Sequence, residues 1–211
     1  RVRLGSMKTL VLLTFMIFSI KAFSHPVIYQ GGWALNSNNM SMYSNNYALY
    51  SLTNRFSLGV EHDRFDQYDL GLMKFNSLLW RHNGEDSQTN LYFHGGAGFI
   101  DQNEKGSHGI LNLGIEGDWE TRTLYTSWKY LQFPGAKDAN YSITQGRVGL
   151  SPVKTSFEQL QIWFMLQGMV IHDVEDTVMI TPMLRFFYHN VLWEVGSSTR
   201  GDWMLNLMVH Y

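Results

Sequence analysis

From Trp203 onward the chain alternates without a break. Trp203, Leu205, Leu207, Val209 and Tyr211 are separated by Met204, Asn206, Met208 and His210. Successive side chains of an extended strand point to opposite faces, so such a stretch has one apolar face and one mixed face. Leu111, Leu113, Ile115, Gly117 and Trp119 alternate in the same way with Asn112, Gly114, Glu116, Asp118 and Glu120. So do Leu160, Ile162, Phe164 and Leu166 with Gln161, Trp163, Met165 and Gln167. No convincing helix of three turns is present. Glycines inside the strand segments, such as Gly95, Gly96, Gly98, Gly114 and Gly117, suit a bending sheet and disfavour helices.

Twelve such segments are expected, starting near Val27, Tyr47, Phe56, Tyr68, Thr89, Gly109, Thr123, Tyr141, Gln159, Val178, Val191 and Trp203. Merging the less regular ones would give ten or eight. The connectors divide into polar ones (Asn36–Asn46, around Asp66, Asp101–His108, Pro134–Ala139, His172–Asp176 and Ser198–Asp202) and tight ones around Asn54, Thr121-Arg122 and His189-Asn190. His82–Gln88 and Ser151–Glu158 are longer and blur the alternation of the two classes. A two-residue loop at His189-Asn190 opposes Tyr188 to Val191, Phe186 to Trp193 and Arg185 to Glu194, two apolar pairs on one face and an ion pair on the other. A two-residue loop at Thr121-Arg122 opposes Trp119 to Leu124 and Glu116 to Ser127. Pro182, which lacks a ladder donor, is expected near a rim or at a bulge.

The start of the chain reads as an export signal. Met7-Lys8 precedes an apolar run from Leu10 to Ile20, and Ala22 and Ser24 form a small-x-small cleavage site. The run is too short to span a bilayer as a helix, which takes roughly 20 residues. Residues 1–24 are therefore expected to be upstream residues plus signal, and 25–211 the mature unit. Their removal takes away Arg1, Arg3, Lys8 and Lys21 but no acid, leaving 187 residues with a net charge of −6. The chain has no cysteine, which excludes disulfides and thiolate metal sites. Its 16 basic residues against 18 acidic ones give no footprint for nucleic acid.

A secreted chain of this pattern could be a soluble sandwich or a lipocalin-like barrel with its apolar face inward. Three features point to the inverse, with lipid outside. Aromatic residues lie near the segment ends (Trp119, Tyr188, Trp193 and Trp203), as at membrane interfaces. The opposite faces carry Glu116, Asp118, Glu120, Lys129, Arg185 and Glu194 among glycines, Tyr125 and Trp163, as in a packed, partly wet interior. The third feature is the last strand, alternating and closed by Tyr211, which resembles the assembly signal of bacterial outer-membrane barrel proteins. The chain thus resembles small Gram-negative outer-membrane β-barrels over residues 25–211. That resemblance implies an all-β fold, a single antiparallel up-and-down transmembrane barrel of about 12 strands with both termini in the periplasm. It also implies outer-membrane lipid and lipopolysaccharide as surroundings, and the barrel-assembly machinery as a partner of the Tyr211 strand.

The function expected is passive passage or binding of a small solute through a narrow lumen, with cations preferred because of the −6 balance and Glu116, Asp118 and Glu120. The other readings are an envelope lipid-modifying barrel enzyme and a non-catalytic surface-interaction barrel, for which the Asn/Ser-rich Asn36-Ser37-Asn38-Asn39 would be a loop. Lipid A deacylases and phospholipases of the outer membrane share a His-x-Ser dyad, and no His-x-Ser occurs here. Omptin-like chemistry would need clustered acids and histidines, for which Glu61-His62-Asp63 is the only compact group. No catalytic residue and no cofactor is assigned. Methionines on the inner face of the last four strands (Met165, Met179, Met183, Met204, Met208), with His210, would suit a soft metal. Gap filling in a narrow lumen is the competing account. Met204, Met208, His210 and His25 are the metal ligands that reading would use.

Overall fold

A computed structural model describes residues 26–65, 68–102, 106–135, 140–154 and 159–211. The expected signal and His25 lie outside the described residues. Twelve strands follow one another: β1 (Trp33–Met40), β2 (Tyr43–Thr53), β3 (Phe56–Phe65), β4 (Tyr68–Asn83), β5 (Ser87–Gln102), β6 (Gly106–Thr121), β7 (Leu124–Phe133), β8 (Tyr141–Leu150), β9 (Gln161–His172), β10 (Glu175–Tyr188), β11 (Val191–Ser197) and β12 (Trp203–His210). Each pairs antiparallel with its sequence neighbours, and β1 pairs with β12, so the sheet closes into an up-and-down barrel with no free edge. Closure extends to the last residue, where Trp33 and Tyr211 exchange backbone bonds of 2.6 and 2.8 Å.

The period of two becomes an inside and an outside. Leu205 and Leu207 stay 46% and 44% exposed while Met204 and Asn206 between them are buried. Leu111, Leu113, Ile162, Phe164, Leu166, Val148 and Trp128 share the outer face. A continuous apolar exterior of this extent belongs in hydrocarbon and not in water.

The hairpin at His189-Asn190 has the register its sequence implies. Arg185 opposes Glu194, Phe186 opposes Trp193, and Tyr188 opposes Val191. His189 takes a φ of 52°, the left-handed conformation that a two-residue hairpin turn requires. Pro182 lies one residue beyond the last β10–β11 pair, Met183–Gly196. On its other side it stays paired with Leu166 of β9, so the proline marks where the β10–β11 ladder ends while the β9–β10 ladder continues.

Several expectations are corrected. The β6–β7 hairpin is shifted by two residues: Glu116 opposes Lys129 and Trp119 opposes Thr126. The Thr121 hydroxyl accepts the N–H groups of Thr123 and Leu124, which widens the turn. The shift preserves inside and outside and puts Lys129 instead of Ser127 across from Glu116. Residues 36–40 and 43–46 are strand and not loop, because their polar groups bond across the sheet: Ser37 donates to Asn46, Asn36 to the Asn45 carbonyl, and Asn45 to Asp63. The first strand starts at Trp33 and not near Val27. Residues 26–32 instead fold under the rim where β1 begins and β12 ends, the terminal rim, held by the bonds Ile28 N–H to Ser51 Oγ, Gln30 N–H to Asn54 and Ser57 to the Pro26 carbonyl. Val27 is buried there against Leu78 and Tyr92. Connector length does not sort the two rims, since the two strands separated by the most residues, β8 and β9, are joined at the terminal rim.

Candidate functional site: a charged chamber under an aromatic bar

Inside the barrel, polar and apolar side chains occupy different levels. Toward the distal rim, away from the termini, the inner face is apolar: Met40, Phe65, Leu70, Leu72, Ile100, Ile110, Phe133, Ile143, Ile171 and Met179 form one cluster. Four rings run through it in sequence. Tyr43 stacks on Phe65 (4.7 Å between centroids), Phe65 meets Tyr141 edge-on (5.1 Å), and Tyr141 stacks on Phe133 (4.3 Å). Tyr43 and Phe65 come from β2 and β3, whereas Tyr141 and Phe133 come from β8 and β7 on the far side of the closed sheet. The rings therefore form a bar across the lumen.

Between this bar and the segment at residues 26–32 lies a cavity of about 120 Å³. Among the residues lining it are Glu61, Lys74, His94, Glu116, Lys129, Gln145, Arg147 and Arg185. They reach it because each sits at an inward parity position: Glu61 between outward Val60 and His62, Arg147 between Gly146 and Val148. Three charge clusters run around the wall. Lys74 Nζ donates to both carboxylate oxygens of Glu61 at 2.7 and 2.6 Å. His94 bridges Asn76 (2.7 Å) and Glu116 (3.0 Å), and Lys129 binds the same Glu116 oxygen at 3.1 Å. Glu194 accepts from Arg185 (2.7 Å), Arg147 (3.2 Å) and Asn206 (2.8 Å). Arg185 also lies over the Tyr125 ring, 4.6 Å from its centroid, a cation–π contact worth about 0.5–2 kcal/mol.

Alternation along β6, β7, β10 and β11 puts Glu116, Asp118, Glu120, Lys129, Arg185 and Glu194 on one parity with the cavity-facing side chains. Glu116, Lys129 and Arg185 line the cavity itself. Glu194 is fully buried behind the two arginines. Asp118 is bound by Asn90 at 2.7 Å, nearer the terminal rim, and Glu120 follows it on the same face of β6. Lys74, His94 and Arg147 were not singled out in the sequence, and Glu61 only within Glu61-His62-Asp63, although the parity of β3, β4, β5 and β8 puts all four on the same side. Glu61-His62-Asp63 does not converge: alternation turns Glu61 and Asp63 inward, while His62 points outward and binds Asp69 at 2.6 Å. Met204 stands opposite Met40 on β1, four residues from Met208 and six from His210 along β12. Those three thus do not close around one point. No group of three His, Cys, Asp or Glu suited to a metal ion occurs among the described residues.

No protein-family model and no curated protein matches the sequence. Among solved structures the chain is similar to the KdgM porin, with a TM-score of 0.51 at 12% identity, covering 85% of this chain and 98% of that one. The same porin in complex with disordered oligogalacturonate gives a TM-score of 0.51 at 13% identity and the same coverage. A weaker likeness, TM-score 0.44 at 8% identity over 83% of this chain and 62% of the other, is to OccK8 (OprE) of Pseudomonas aeruginosa. The fold is that of a small outer-membrane β-barrel. At these identities the likeness concerns architecture and leaves the solute to the chamber's own chemistry.

Proposed function

We propose that this chain is an outer-membrane barrel that passes small polar solutes, with the charged chamber as the selective station and the aromatic bar as the barrier. The observation that carries this reading is a hydrogen-bonding chamber enclosed in a barrel whose exterior is apolar. An interior filled only for stability would be better served by aliphatic packing, because buried charges cost desolvation that pairing offsets only in part. Buried polar atoms without a partner continue upward into the apolar level: both side-chain atoms of Asn112, the Thr181 hydroxyl and the Tyr141 hydroxyl. Each is expensive to leave unmade, and together they give a solute or water polar contacts within the apolar level.

Charge selectivity is weak in this reading. Four cations (Lys74, Lys129, Arg147 and Arg185) face three carboxylates (Glu61, Glu116 and Glu194) around the cavity. Asp118 and Glu120, on which a cation preference was partly based, lie toward the terminal rim, outside the cavity lining.

The test is conductance of the full chain in planar bilayers. Small steps with a cation-to-anion permeability ratio near one are expected. The Phe65→Ala/Tyr141→Ala pair removes the two rings that meet across the lumen and should enlarge the step several-fold. A folded double variant with no more conductance than bare lipid would refute passage.

A further inference from the structure

Seven of the nine methionines among the described residues point into the barrel, and all seven lie on β9, β10, β12 and β1. The opposite wall of the apolar level is filled differently, by Leu70, Leu72, Ile100, Ile110, Leu131 and Ile143 on β4 to β8. Filling an apolar lumen therefore does not by itself call for thioethers, and one wall has them to the near exclusion of branched side chains.

The registers line up four of these methionines. Met165 opposes Met183, Met183 opposes Gly196, Gly196 opposes Met204, and Met204 opposes Met40. One inward row thus crosses five consecutive strands from β9 to β1, with methionine at every position except the glycine. A second pair, Met169 opposite Met179, stands above it on β9 and β10. The glycines make room for the row. A Cβ at Gly196 would come within 2.6 Å of the Met183 Cβ, and one at Gly149, opposite Met165 on β8, would run into the Met165 sulfur. Neighbouring strands are about 4.8 Å apart, so adjacent long, flexible thioethers in such a row can close on one ion. Met169 and Met208 line the chamber, so thioether sulfur is reachable from the polar station.

We propose that the Met165–Met183–Met204–Met40 row is a binding site for a soft monovalent cation, Cu(I) or Ag(I). Thioether ligands select soft ions. The row offers no carboxylate or imidazole that would favour a harder one. The proposal does not depend on solute passage, since the site would bind its ion whether or not the bar opens.

The test is titration of the full chain in detergent micelles with silver nitrate in chloride-free buffer, following methyl resonances of protein labelled at the methionine methyl carbons. The Met40, Met165, Met183 and Met204 signals should shift and saturate together. Those of Met42, in the β1–β2 turn, and outward-facing Met73 should stay in place. A quadruple Leu variant of the row, close in volume and so expected to fold, should lose silver affinity at least about tenfold. Row signals that do not move in the wild-type protein, signals that all move alike, or an unchanged affinity in the folded variant would each overturn the site.

Discussion

Glu194 is fully buried between Arg185 and Arg147, with Asn206 on its second oxygen. Removing the charge of one member leaves its partners buried and uncompensated, which costs about 3 kcal/mol or more. Glu194→Gln is therefore expected to lower stability by about 3 kcal/mol, read as a shift in urea midpoint for the barrel in micelles. A midpoint unchanged within error would mean that water in the lumen already screens the trio. The Arg185–Glu194 half of this trio was legible in the sequence because both residues flank one tight turn, where register follows from loop length. Arg147 was not legible, because it arrives from β8, three strands away in the closed sheet, and no local spacing encodes that distance.

At the level of elements, alternation identified most strands, and the turns decided their pairing. In the β6–β7 hairpin the Thr121 hydroxyl collects two backbone N–H groups and moves the register by two residues. A shift of two is invisible to an inside–outside argument because it preserves every face. Oxidation of a Trp119→Cys/Thr126→Cys pair, directly opposed on the outer face, should give an intramolecular cross-link. Trp119→Cys/Leu124→Cys should give little, and the reverse yields would restore the shorter turn. The Asn/Ser-rich stretch around residue 38 shows the opposite failure. Its composition resembles a loop, yet cross-strand side-chain bonds between β1, β2 and β3 make it sheet.

At the scale of the whole molecule, the outer belt fixes the environment and the inner levels fix what can pass. Leu166 sits midway along β9 on the outer face, 45% exposed. Leu166→Arg places a charge at that depth and should cost about 2–4 kcal/mol in bilayer folding equilibria. Gln88→Arg, on the inner face of β5 opposite Glu120, should cost much less. Equal penalties at the two sites would mean that the apolar belt does not face lipid. The aromatic bar belongs to this scale too, since Phe65 and Tyr141 meet only because the sheet closes.

The sequence alone determined the class of fold and which residues of most strands look inward, because side-chain direction in a strand depends on nothing beyond position parity. It also determined the one hairpin whose turn admits a single register. It left twelve, ten or eight strands open, and closure of the sheet decided twelve. Only the tertiary structure decided which inward residues meet. The Glu194 trio, the ring bar and the methionine row all join strands through the barrel's curvature or through a ladder of several registers, and each register adds an offset that local sequence leaves open.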